Sequence, residues 1–112
     1  MRKYYYKDLV DKNVIPDDCV EFYCYNNRIT KLPKLSQSLR KLYCGGNKLT
    51  ELPELPQSLE SLGCNINNIT ELPELPNILV LLWCSDNPIQ YITKHNYEIM
   101  KKIYFNNYNI KM

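Results

Sequence analysis

From residue 19 to residue 92 the apolar positions fall into a block of 20 residues that is written again and again. The stretch "LTELPELPQSLESLGC" at 49–64 returns as "ITELPELPNILVLLWC" at 69–84, and a looser copy, "ITKLPKLSQSLRKLYC", precedes them at 29–44. Cys24, Cys44, Cys64 and Cys84 mark the period, and Asn27, Asn47, Asn67 and Asn87 keep the same phase three residues later. Self-similarity at a fixed spacing of this size predicts a solenoid, in which each unit buries its apolar side only by stacking on the next.

Inside one block the pattern changes character twice. Leu42 and Cys44 alternate with Lys41 and Tyr43, the period of two that sends one set of a short strand inward and the other outward. Leu39, Leu42 and Cys44 share their inward slots with Cys19, Phe22 and Cys24, with Leu59, Leu62 and Cys64, and with Leu79, Leu82 and Cys84. The chain then turns, and the repeated asparagine has an amide short enough to bond backbone groups of its own turn and of the neighbouring coil. Stacked, the four asparagines predict a buried ladder. In the return half the prolines of "ELPELP" fix φ and remove donors, which predicts an extended polyproline II path with no room for a convex helix. Leu49, Leu52 and Leu55 close the core from that side.

The ends depart from the block, as caps of a solenoid do. The organisation read from the pattern is an N-terminal cap at 1–18, four repeats at 19–92, and a C-terminal cap with a degenerate fifth repeat at 93–112. In the first cap Tyr5, Leu9 and Val10 predict one face of a short helix, stopped by Pro16. In the last, a strict 20-residue step turns Lys102 inward, whereas a 21-residue step turns Met100, Ile103, Phe105 and Ile110 inward and is preferred. The proline-free run from Thr93 to Met100 predicts a helical turn, with Thr93 or Asn96 as its N-cap.

The unit L-x-x-L-x-C-x-x-N-x-L-T-x-L-P-x-L-P-x-S resembles the leucine-rich repeat, with Cys in place of the third Leu of the usual signature. Its length and its "LPxLP" half are similar to the bacterial-type repeats of secreted effectors of the IpaH and YopM kind. Cys at the inner slot, on a background rich in Asn and Tyr, also resembles repeats encoded by giant viruses of amoebae. The resemblance covers residues 19 to about 92. It implies a β-rich solenoid with short parallel strands on the concave face, an extended convex side, and a protein-binding role. Effectors of this kind often carry a separate ubiquitin-ligase domain, for which these 112 residues leave no space.

Composition narrows the function classes. A chain of 112 residues is sized for one domain, and a net charge of +2 selects neither nucleic acid nor membrane as partner. The start "MRKYYYKDLVDKNV" lacks the apolar run of a signal peptide, and Ile78–Cys84, the longest apolar stretch, is too short to span a bilayer. A cytoplasmic protein is expected, in a host cell or virion if the gene is viral. Abundant Asn, Tyr, Ile and Lys fit an AT-rich source. The five cysteines are expected to be reduced small hydrophobes, because an in-register row about 4.8 Å apart suits neither disulfides nor a zinc tetrahedron. His95 is the single histidine, so no cofactor, metal site or acid, base and nucleophile constellation is expected. Gly45-Gly46 sits in a repeat turn and not before a helix, so it is no phosphate loop.

What remains is the outward face of the strands. Its middle column reads Tyr23, Tyr43, Gly63, Trp83 and, with the 21-residue step, Tyr104, flanked by Glu21, Lys41, Ser61 and Leu81. Val80, Leu81 and Trp83 form an apolar group there, of the kind found at interface hot spots. Aromatic residues also suit strands in their own right, and the terminal cap can cover Trp83. The function expected is a non-enzymatic protein-interaction module that binds a host protein or itself through Tyr23, Tyr43, Leu81, Trp83 and Tyr104. The alternative is a structural or assembly protein. Five strands make a sheet only about 20 Å across, while a stable interface buries about 800 Å² per partner. Weak binding by a monomer, or a homo-oligomer that pools strips, is therefore expected.

Overall fold

The computed structural model describes residues 2–106. Six three-residue strands lie parallel and side by side in chain order: β1 (Lys3–Tyr5), β2 (Glu21–Tyr23), β3 (Lys41–Tyr43), β4 (Ser61–Gly63), β5 (Leu81–Trp83) and β6 (Tyr104–Asn106). From β2 to β5 each residue pairs with the one 20 positions later, so Phe22, Leu42, Leu62 and Leu82 form one row. These four are fully buried, as are Leu39, Leu59, Cys44, Cys64 and Cys84. The core is thus a stack of similar layers, closed on the far side by Leu52, Leu55, Leu72 and Leu75, all buried. The proline-bearing returns at 51–56 and 72–76 carry no helix or strand, as residues lacking amide donors require.

The buried asparagines hold successive turns together. Asn67 Oδ1 accepts from the Leu49 amide at 3.0 Å, and its Nδ2 donates to the carbonyls of Cys44 and Cys64 at 3.1 and 3.0 Å. Asn47 and Asn87 repeat this arrangement one coil to either side. The ladder has three rungs and not four. Asn27 is exposed, and among the described residues its Nδ2 donates to Tyr25 O alone. The segment before it enters a 3-10 turn at Tyr6–Asp8 and supplies no preceding repeat turn to bridge.

Both ends differ in part from the sequence-based expectation, although the helical turn capped by Thr93 is present. In place of a helix face, the first cap contributes β1, an extra strand whose Tyr4 and Tyr5 pair with Phe22 and Tyr23 at an offset of 18. Of the three residues expected on that face, Leu9 is buried, whereas Tyr5 and Val10 are exposed. At the other end Thr93 caps α1 (Lys94–Met100) by accepting from the Asn96 amide. After it, Phe105 pairs with Leu82 and Asn106 with Trp83, a step of 23 residues and not 21. An α-helix advances about 1.5 Å per residue against about 3.1 Å for polyproline II, so more residues are spent covering the same coil. Ile110, and the side chains of Tyr104 and Phe105, lie outside the described residues.

The C-terminal cap also seals the backbone that a further repeat would have covered. Buried Asn96 accepts from the Leu75 amide at 2.8 Å and donates to Pro73 O at 2.9 Å, while His95 Nε2 lies 2.8 Å from Leu75 O. The single histidine is therefore spent on the solenoid end.

Candidate functional site

The pairing register brings one column of outward side chains together on the open face. Tyr5 stacks on Tyr23 at 5.3 Å between ring centres, and Tyr23 on Tyr43 at 5.4 Å. These are ordinary offset-stacking distances, and they arise because neighbouring strands stand about 4.8 Å apart. The column continues across β4, where Gly63 offers no side chain. A Cβ on Gly63 would stand 2.7 Å from the Tyr43 ring, so the glycine leaves room for Tyr43 to lean over and meet Trp83 at 6.2 Å. Four rings from four strands thus form one surface.

That surface is one wall of an open cleft of about 640 Å³. The other wall comes from the turns after the strands and includes Tyr25, Asn26, Asn65 and Ile66, with Lys3 at the N-terminal end. Gly45 and Gly46 also line it, and with Gly63 they account for all three glycines of the sequence.

Two polar features set the electrostatics of the N-terminal half. The Tyr23 hydroxyl donates to Glu21 Oε1 at 2.6 Å, which holds the buried Glu21 carboxyl below its ordinary range. Burial, then this same bond, push the Tyr23 phenol upward. Glu21 is therefore ionised and already partnered at neutral pH. The Lys3 ammonium lies over the Tyr23 ring at 5.6 Å, within cation-π range. Lys3 and Lys41 are exposed beside it, and Arg40 is paired with Glu60 at 2.7 Å.

Of the residues singled out in the sequence, the structure brings Tyr23, Tyr43 and Trp83 together and sets Leu81 half-buried beside them, with Val80 exposed. Trp83 keeps 39% of its surface exposed, so the terminal cap does not cover it. Tyr104 is not in the middle column, because the 23-residue step pairs it with Leu81 and gives the place beside Trp83 to Asn106. Sequence reading missed Tyr5 and Ile66. The first was legible as "KYY" set against "EFY" at an offset of 18. The second is an isoleucine at a turn position with φ +56°, where the other repeats place Asn26, Gly46 and Asp86 at φ between +59° and +70°.

Buried thiols lie behind the face. Burial pushes the Cys19 thiol up to about 11. Cys44 is raised by its hydrogen bond with Cys24 and by burial, and Cys64 by burial alone in the main. All five cysteines are buried and none is in a disulfide.

No family model matches the sequence, and no curated protein matches it. Solved structures do. The leucine-rich repeat domain of a Shigella effector superposes with a TM-score of 0.74 at 33% identity, over 86% of this chain and 41% of that one. The leucine-rich effector YopM from Yersinia pestis gives 0.70 at 30% identity, over 87% and 29%. YopM from Yersinia enterocolitica WA-314, at 21% identity and a TM-score of 0.59 over 83% and 25%, shares the fold. The chain is a leucine-rich repeat protein whose repeats are similar to those of these bacterial effectors. It spans less than half the length of the solved chains it matches. The aromatic column lies on the strand face of the leucine-rich repeat solenoid, and the proline-rich returns form its back. Among the described residues no helix is long and apolar enough to cross a membrane.

Proposed function

We propose that this leucine-rich repeat protein is a non-enzymatic module that binds another protein through its strand face, in the cytoplasm of a host cell or within a virion. The observation that carries the reading is the continuous aromatic wall from Tyr5 to Trp83 along an open cleft. Those rings are not required by the core, which is already filled by Leu and Cys from the opposite side of each strand. Exposed aromatics grouped in one concavity are what protein recognition uses. The solved effectors supply the fold-level analogy and nothing about the partner. No reaction is proposed, because the sequence assembles no nucleophile with a base.

The test is capture by the purified chain from host-cell lysate, compared with Trp83→Ala and Tyr43→Ala. Loss of the same captured band in both, with circular dichroism unchanged, supports the reading. Full capture by both variants overturns it. A self-assembly role is the second reading, favoured by exposed Ile78 and Val80 near Trp83, and native mass measurement of the wild type distinguishes it.

A further inference from the structure

The cleft is polarised along its length. At the β1 end the charged side chain lining the cleft is exposed Lys3, while the nearby Glu21 is buried under the Tyr23 hydroxyl. At the β5 end stand Trp83 and Ile66, with exposed Asp86 in the next turn. Ile66 is the odd member of its column. A β-branched residue at positive φ is strained, and at 55% exposure Ile66 contributes little core packing to offset that strain. Its side chain instead lines the cleft that holds Trp83.

Size limits what can fill such a cleft. Six strands of three residues give a strip about 24 Å by 10 Å, far below the roughly 800 Å² a globular partner needs. A rigid second solenoid would meet a recessed cleft mainly at its rims. An extended chain fits: the four strand spacings from β1 to β5 amount to about 19 Å, the reach of about six residues.

We propose that the cleft takes an extended peptide of about six residues lying across the strands, with a large apolar side chain against Trp83 and Ile66 and carboxylates toward Lys3. Asp86 repels the acidic end and so fixes the orientation. The proposal rests on the strand-face reading and names its partner class.

The experiment measures binding of the full chain to end-blocked, fluorescein-labelled hexapeptides carrying Trp-Leu at one end and three Glu at the other, in both orders, with Lys replacing Glu as the control. At least one acidic order binds about five-fold or more tighter than its lysine counterpart, and added salt narrows the gap. Lys3→Glu abolishes that preference. Ile66→Asn weakens binding about ten-fold while raising the melting temperature by a few degrees, a pairing that a merely structural residue would not give. Equal affinity for acidic and basic peptides, or undiminished binding by Ile66→Asn, overturns the proposal. If no hexapeptide binds while Trp83→Ala still releases a captured globular partner or splits a dimer, the peptide proposal falls and the strand-face reading stands.

Discussion

At the scale of single residues, Asn67 shows how much one side chain can hold. It satisfies an amide from one coil and carbonyls from two coils. Replacing it leaves buried backbone groups unpaired, which costs about 1–3 kcal/mol. Asn67→Ala is therefore expected to lower the unfolding free energy measured in urea by that amount, while Asn27→Ala, at the exposed end of the row, stays within about 0.5 kcal/mol of wild type. Equal losses in both would mean that position in the ladder does not matter. The same one-letter code thus carries different weight according to whether a coil lies on both sides.

At the scale of elements, β4 and α1 each do something their neighbours do not. Gly63 lets β4 act as a gap through which Tyr43 and Trp83 touch. Gly63→Val pushes the Tyr43 ring away, so Trp83 fluorescence is expected to shift toward longer wavelength with the far-ultraviolet dichroism unchanged. An unaltered emission spectrum would show that the ring contact does not shield the indole. The helix α1 replaces a proline return and brings Asn96 onto Pro73 and Leu75. Asn96→Ala is expected to destabilise by about 1–3 kcal/mol. Faster hydrogen exchange should appear first in residues 72–76, and uniform exchange along the chain would refute the local sealing role.

At the scale of the whole molecule, stability is shared along a row of layers, each touching only its neighbours. The core that runs through them holds thiols whose ionisation burial opposes. Cys19 moves from an ordinary 9.0 up to about 11, and Cys44 and Cys64 move in the same direction. The folded chain keeps these protons when the unfolded chain begins to release them near pH 9. This contribution to stability is therefore complete below about pH 9 and is lost as pH rises toward 11 and beyond. Urea midpoints measured from pH 7 to pH 10.5 should be flat at first and then fall, and thiol reagents should react with the native protein only at the rate of unfolding. A flat profile to pH 10.5 would contradict the burial of these groups.

The 20-residue period by itself determined the solenoid, the inward row of Leu and Cys, the extended proline returns and the outward aromatic slots, because each is a local consequence of spacing and backbone chemistry repeated until stacking is forced. Tyr23, Tyr43 and Trp83 were legible for that reason. What only the tertiary structure decided lies where the period stops or where two coils meet. The strand β1 and the 23-residue step to β6 depend on how each cap covers an exposed layer, which no repeat encodes, and this is what moved Tyr104 out of the column and Tyr5 into it. Contact between Tyr43 and Trp83 depends on empty space above Gly63, a property of three adjacent strands and not of any one of them. The strain at Ile66 is likewise visible only as a backbone angle, since an isoleucine in a string of letters carries no sign of φ.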